Sequence, residues 1–237
     1  MSGPLPPLLS IIVPVYNESA TIAAVLERLL TIELPLPREI IAVNDGSKDG
    51  TAAALDAAAA KSPLISVIHH ERNGGKGMAL RTGLRRTNGS IVAIQDADLE
   101  LDPAQLAGLV APVLRGDADA VYGSRFMHEA PHVPLMTRFG NATLTRLTNL
   151  LYGSSLTDME TCYKIMRGNL ARSLPLVSNR FEIEPEITVQ LLKRGARIVE
   201  LPVTFSPRSK AAGKKIRWRD GWHAVDILVR HKFSGVE

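Results

Sequence analysis

Residues 91–103 read Ile-Val-Ala-Ile-Gln-Asp-Ala-Asp-Leu-Glu-Leu-Asp-Pro, the densest run of acidic chemistry in the 237-residue chain. Asp96, Asp98 and Glu100 follow directly on an apolar, β-branched run that reads as a buried strand. Carboxylates crowded where a strand stops repel one another unless compensated, and a divalent cation is the usual relief. Hard ions such as Mg2+ or Mn2+ prefer oxygen ligands, and Mg2+ fills its remaining positions with waters and substrate phosphates. A metal held by Asp96, Asp98 and Glu100, facing a diphosphate-bearing substrate, is the chemistry this stretch implies. The same stretch also suits a loop that caps the next helix, since Asp102-Pro103 is a good helix start.

These residues need a scaffold, and the hydrophobic pattern supplies one. Leu9 to Val15, Glu39 to Val43, Ile65 to His69, Ile91 to Ile94 and Ala118 to Tyr122 read as strands, and Ile198 to Phe205 as a last one. Between them, Thr21 to Leu30, Thr51 to Lys61, Lys76 to Arg86 and Pro103 to Leu114 read as helices. In the second half, helices are expected from Arg138 through the stripe Leu144, Leu147, Leu150 and Leu151, and from about Phe181 to Lys193. The leucine stripe reads as core rather than membrane-facing. Strands alternating with helices predict an α/β fold, a mostly parallel sheet with helices on both faces. Ligands bind such sheets at the carboxyl ends of the strands. Three of those ends carry Pro14-Val15-Tyr16-Asn17-Glu18, Asn44-Asp45-Gly46-Ser47 and Asp96-Ala97-Asp98, so polar groups from distant parts of the chain converge on one edge. No Gly-x-Gly-x-x-Gly follows the first strand and no Gly-Lys-Ser/Thr phosphate loop occurs, which disfavours dinucleotide and P-loop enzymes.

Composition narrows the class further. The single Cys162 excludes a disulfide framework within the chain and a multi-cysteine zinc site, and suits a reducing compartment. A signal peptide and a membrane span are not expected. Residues 207–237 hold eight Lys/Arg against three acids, while the remainder holds 20 against 21. A basic tail on a near-neutral body suits phosphate, anionic lipid or nucleic acid, and equally a solvated charged end.

Val13-Pro14-Val15-Tyr16-Asn17-Glu18, Val43-Asn44-Asp45-Gly46-Ser47-Lys48-Asp49-Gly50-Thr51, Asn73-Gly74-Gly75-Lys76-Gly77, Asp96-Ala97-Asp98 and Gly123-Ser124-Arg125 occur in that order. In this the chain resembles family 2 glycosyltransferases, in particular the branch of dolichol- and polyprenol-phosphate mannose or glucose synthases, from Leu9 to about Phe233. The resemblance implies a GT-A (Rossmann-like) fold, a nucleotide-diphosphate sugar donor, a divalent metal (Mg2+ or Mn2+) and inversion at the anomeric carbon. It implies one domain over 1–206, with a donor half at about 9–122 and an acceptor half at 123–206, followed by a basic closing loop and amphipathic helix in 207–237. Pro14, Tyr16 and Glu18 would line the base and ribose pocket, Asp45 would contact the nucleoside, and Lys76 and Ala97 would join the donor-binding set. Asp96, Asp98 and Glu100 would surround metal and diphosphate; the family often has Gln where Glu100 stands. Arg125 and Arg138 match arginines that hold the acceptor's lipid phosphate, and Arg208 and Lys214 match the loop that closes over the donor phosphates.

These roles are chemically coherent. A nucleoside diphosphate leaving group needs metal and cations such as Arg208, and a phosphate acceptor needs guanidinium partners. That acceptor is already ionised near neutral pH, so attack needs positioning more than a base. A hydroxyl acceptor would need a base, with Asp158 and Glu160 as the candidates. Surface salt bridges would also explain the two arginines, and capping or structural ion pairs the two acids. Two departures fall on the acceptor side: Glu160-Thr161-Cys162-Tyr163-Lys164 replaces a Gly-Ser-Phe-Arg-like stretch, and the closing loop from Ser206 to Lys215 is longer. The reading is therefore a metal-dependent hexosyltransferase, moving mannose or glucose to a polyprenyl phosphate at the cytoplasmic membrane face, bound peripherally. Trp218, Trp222 and Phe233 would either enter the lipid interface or pack on the body. The rivals are the same fold with a hydroxyl acceptor, a sugar nucleotidyltransferase, and a nucleic-acid-binding module, which would have no use for the acidic cluster.

Overall fold

The computed structural model describes residues 7–127, 133–207 and 218–233. Its centre is a seven-stranded sheet, ordered β3-β2-β1-β4-β6-β5-β7. The strands are β1 (Leu9–Val15), β2 (Arg38–Asn44), β3 (Ile65–His69), β4 (Ile91–Ile94), β5 (Ala120–Ser124), β6 (Lys164–Arg167) and β7 (Ile198–Pro202). Every pairing is parallel except those of β6, which runs against both β4 and β5. This is the mostly parallel α/β sheet expected. The apolar runs of β1 and β4 are buried on both faces, as parallel strands between helical layers must be. Pro14 sits in a central strand because the β4 ladder has already ended there: β1 pairs β4 only from Leu9 to Ile12.

Helices α1 (Ile22–Thr31), α2 (Thr51–Ala59) and α4 (Leu106–Arg115) cover one face, with Val25, Leu29, Leu55, Leu109 and Val113 in its core. The other face is covered by α3 (Lys76–Leu84), α6 (Gly168–Ser173) and α7 (Ile183–Lys193), with α5 (Leu135–Tyr152) and α8 (Trp218–Phe233) packed outside. Leu144, Leu147 and Leu151 of α5 pack into that second core, as expected of the stripe, but Leu150 is 82% exposed. Helix α8 is docked rather than trailing: Leu228 is fully buried, and the Tyr152 hydroxyl donates to the Leu228 carbonyl at 2.7 Å.

Several boundaries differ from expectation. The fifth strand runs over Ala120–Ser124, pairing with β6 from Ala120 and with β7 from Ala120 to Ser124. The helix after Pro103 begins as a 3-10 turn, Pro103–Gln105, capped by the Asp102 carboxylate. The last strand stops at Pro202, yet the chain beyond it returns to the acidic loop. Phe205 bridges Leu101, the Ser206 N–H donates to the Glu100 carbonyl, and the Gln105 amide holds both backbone groups of Thr204. Strand β6 was not expected at all.

Candidate active site

Three loops at the carboxyl edge of β1, β2 and β4 are tied together by uncharged hydrogen bonds. Asn17, at φ 51°, receives the Lys48 N–H on its side chain, while its own N–H donates to the Ser47 hydroxyl. Asn tolerates this left-handed conformation better than most residues. The Glu18 N–H donates to the Thr51 hydroxyl at 2.9 Å. Thr21 crosses to the acidic loop, its hydroxyl donating to the Ala97 carbonyl at 2.7 Å and lying 3.1 Å from the Glu18 carboxylate. Pro14, Tyr16, Glu18, Asp45, Ala97 and Asp98 are therefore assembled on one edge from three parts of the chain.

Asp45 is buried, and its carboxylate accepts from Asn73, His70 and the N–H groups of Gly74 and Gly75, all within 2.9 Å. The chain itself thus fills the four acceptor sites of this carboxylate. Asp45 shapes the Asn73-Gly74-Gly75 turn, and any nucleoside contact must share it. Gly46 permits that approach: a Cβ there would lie 2.5 Å from the Arg72 carbonyl carbon.

The acidic cluster divides. Asp96 turns inward to the Lys76 ammonium at 2.8 Å, and Lys76 also meets Glu184 at 2.9 Å. Burial raises the Asp96 pKa, but Lys76 and a hydrogen bond from the Cys162 thiol outweigh it, holding the carboxyl below its usual range. Asp98 lies in a tight turn: its carboxylate accepts the Glu100 N–H at 3.1 Å, across Leu99 at φ 61°. A leucine in that region costs roughly 1–2 kcal/mol, strain that often accompanies functional loops. Among the described residues no three His, Cys, Asp or Glu side chains converge to hold a metal. Asp96 is engaged partly by Lys76, whose ammonium also pairs with the buried Glu184.

The acceptor half is built from buried charge. Arg125 grips Asp158 with Nε and Nη2 at 2.7 and 2.8 Å, and its backbone N–H donates to the same carboxylate. Its guanidinium stands near the Phe126 and Phe205 rings, 5.5 and 5.4 Å from their centroids. The partly buried Glu200 clamps the loop below, accepting from the N–H groups of Thr157 and Asp158. Lys164, wholly buried, donates to Glu184 at 2.5 Å and to the carbonyls of Met159 and Thr161. Alternating charges thus run Asp96, Lys76, Glu184, Lys164.

Glu160 stands beside this chain with one carboxylate oxygen buried and without a hydrogen-bond partner. Burial pushes its pKa up, Lys164 pulls it down and Glu184 pushes it up again; the result is about 7. Asp158, the other expected base, has a fully buried side chain paired with Arg125. Arg138 is exposed on the first turn of α5, its guanidinium without a partner among the described residues, and no contact joins it to Arg125. Arg208 and Lys214 lie outside the described residues.

Sequence reasoning missed Glu184, Lys164, Thr21 and Glu200. Lys164 opens a four-residue strand, and Glu184 sits in a Glu-rich first turn that reads as ordinary helix-dipole decoration. Only their alternation with apolar residues hinted at burial.

Comparison with known proteins agrees with this geometry. The chain is 30% identical over 212 residues to an undecaprenyl-phosphate mannosyltransferase of Micrococcus luteus, covering 86% of this chain and 85% of that protein. It is 28% identical over 221 residues to a polyprenol monophosphomannose synthase of Mycolicibacterium smegmatis, covering 87% and 82%. A crystal structure of Mycobacterium tuberculosis glucosyl-3-phosphoglycerate synthase with Mn2+ and UDP-glucose superposes with a TM-score of 0.74 at 21% identity, covering 95% of this chain and 79% of that one, and shows the same GT-A fold. Residues 10–174 match the profile of Glycosyl transferase family 2. The chain belongs to that family and is a glycosyltransferase.

Proposed function

We propose that this enzyme moves a hexose from a nucleotide-diphosphate sugar to a polyprenyl phosphate. The observation that carries the donor half is the assembly of the β1, β2 and β4 loops on one edge, with Asp96-Ala97-Asp98 joined to the first of them by Thr21. The acceptor class is supported by the relatives named for undecaprenyl-phosphate and polyprenol-phosphate mannosyl transfer.

The carboxylates fit an Mg2+ or Mn2+ ion held by one or two of them, Asp98 with Asp96, rather than by three. When bound, such an ion offsets the charge that develops on the leaving diphosphate. The chain's own residues do the rest. Tyr16 and Glu18 border the nucleoside pocket, and Asp45 holds its wall through Gly74 and Gly75. Arg138 offers an exposed guanidinium for a phosphate acceptor, while Arg125, just past the end of β5, is held in one orientation by Asp158. Arg208 and Lys214 would close over the donor. An attacking phosphate needs no base, so displacement with inversion requires only alignment.

The acceptor's chain suits a lipid surface. Leu135, Met136 and Phe139 at the start of α5 are 80%, 81% and 71% exposed, and Trp222 in the second turn of α8 is 68% exposed. No helix among the described residues is long and apolar enough to cross a membrane. Peripheral attachment through these residues and the basic tail accounts for both facts.

A second reading, transfer to a hydroxyl, is favoured by one observation: Glu160 titrates near neutrality with an oxygen the chain does not hold. The deciding experiment is thermal unfolding with UDP-glucose, GDP-mannose and related donors, each with and without Mn2+. The expected result is a metal-dependent rise in Tm with one of them. No rise with any donor overturns the transferase assignment of this edge. Asp98→Ala should abolish that rise and cut turnover at least a hundredfold, whereas full activity would remove Asp98 from the metal site.

A further inference from the structure

Away from this edge, Arg81 of α3 and Arg85, which caps its C-terminus, share a cleft with Arg172 of α6. With Leu84, Leu174 and Leu176 they line a cleft of about 240 Å³. The lining has three guanidinium groups and no carboxylate. Their hydrogen bonds go only to neutral acceptors among the described residues. Arg81 donates to the Asn179 side chain, Arg85 to the Thr82 hydroxyl at 3.1 Å, and Arg172 to the Thr87 hydroxyl and the Gly89 carbonyl at 3.1 and 3.2 Å. Arg81 Nε and Arg172 Nη2 are buried without a hydrogen-bond partner among the described residues. Burial pulls the Arg172 pKa down more than the charge of Glu39 restores it. Two buried guanidinium nitrogens without acceptors, beside a third exposed guanidinium and apolar walls, leave donor capacity that a bound anion would fill.

The cleft is separate from the donor edge. Lys76 opens α3, and Arg81 and Arg85 follow it by five and nine residues, about 8 and 14 Å along the axis. Thr87 and Gly89 immediately precede β4, so the cleft lies where the strands begin, not where they end. We propose that this cleft binds a small phosphate-bearing ligand with a short apolar stem. Guanidinium forks match phosphate oxygens, and the leucines take the stem. Its size, just below the roughly 300 Å³ of ordinary ligand pockets, limits the stem to a few carbons. Occupancy would also be felt at the active edge. Arg81 holds Asn179, whose carbonyl accepts the Met78 N–H, and a Cβ on Gly75 or Gly77 would strike the Ser178–Asn179 backbone. The segment that Arg81 restrains is therefore packed on the first turn of α3, beside Lys76.

The site does not rest on the transferase reading, and its test keeps the two apart. Thermal unfolding of the full chain is followed with inorganic phosphate and with butyl phosphate, against chloride at matched ionic strength. Butyl phosphate should raise Tm by a few degrees and more than inorganic phosphate does. Arg85→Glu, at an exposed position that leaves folding intact, should weaken that binding at least tenfold while leaving the Mn2+-dependent donor shift unchanged. Arg81→Gln should weaken it likewise. Flotation with phosphatidylcholine vesicles containing phosphatidic acid identifies the source: loss of flotation in Arg85→Glu marks a lipid headgroup, and flotation unaffected by the variant, with butyl phosphate still bound, marks a free phosphoester. No shift with either phosphate, or equal shifts in wild type and Arg85→Glu, overturns the proposal.

Discussion

The two sides of the catalytic edge are held by different physics. On the donor side, Asn17, Ser47, Thr21 and Thr51 join three loops through neutral hydrogen bonds. On the acceptor side, Arg125–Asp158 and Lys164–Glu184 are buried ion pairs, and Glu184 extends the run to Lys76 and Asp96 at the border with the donor loops. A neutral hydrogen bond contributes about 1 kcal/mol net and is cheap to lose. A buried ion pair adds little when intact, because desolvation offsets the attraction, but losing one member strands a charge. The donor loops can therefore adjust around a nucleotide, whereas the acceptor side tolerates one arrangement of charges. Substitutions of matched size on the two sides test that difference.

The largest effect is expected at Glu184. Glu184→Ala strands the buried Lys164 ammonium and leaves Lys76 with Asp96 alone, so it should cost about 3–5 kcal/mol, read from the urea midpoint at unchanged slope. Glu184→Gln, which keeps the volume, should cost nearly as much if charge is what matters. A loss under about 1 kcal/mol for either would mean that water reaches this network and that the contrast fails.

The same contrast sets what could be read from sequence. β1 to β4 follow apolar runs closed by turn residues, and their parallel pairing follows from the helices between them, so the donor edge was legible. The acceptor side was not, because its order comes from pairing distant charges. β6 is only four residues, begins with a lysine and runs against its neighbours, so neither length nor alternation marks it. Glu184 and Glu186 have the look of solvated acids at a helix start, yet both are buried, Glu186 receiving the N–H groups of Val177 and Ser178. Three clustered carboxylates suggested one metal site, but the side chain of Asp96 follows Lys76, a partner twenty residues away in the chain. Arg125 and Asp158 were both singled out, with ion pairing among the alternatives for each, but that they pair with one another follows only from the fold.

An intermediate effect is expected at Glu160, and its sign is specific. The folded pKa of about 7 lies above the ordinary 4.5, so the folded state holds a proton that the unfolded state releases between them. The stabilising contribution is complete below about pH 4.5 and is lost as pH rises through 7. Glu160→Gln keeps the neutral form at every pH. It should match wild type near pH 4.5 and exceed it by about 1–3 kcal/mol at pH 8. Urea titrations at the two pH values check this, and a constant difference would mean that Glu160 is not held neutral by its surroundings. If Glu160 also serves as a base, the variant loses the limb near pH 7 in its rate profile; with a phosphate acceptor, which itself ionises near pH 6, the limb stays the same in wild type and variant.

The smallest effect is expected on the donor side, at Thr21. Thr21→Val keeps the shape and removes one hydroxyl, with its bond to the Ala97 carbonyl and its contact with the Glu18 carboxylate. The predicted cost is about 1 kcal/mol, a fall in Tm of about 2–4 °C. The same hydroxyl joins the nucleoside loop to the acidic loop, so the variant should weaken donor binding several-fold while leaving Glu160 titration unchanged. A loss approaching that of Glu184→Ala would mean that the donor loops also depend on a single arrangement. The buried Glu18 carboxylate, deprived of its hydroxyl neighbour, would be the reason, and Thr21→Ser, which restores the donor without the methyl group, would then recover most of the stability.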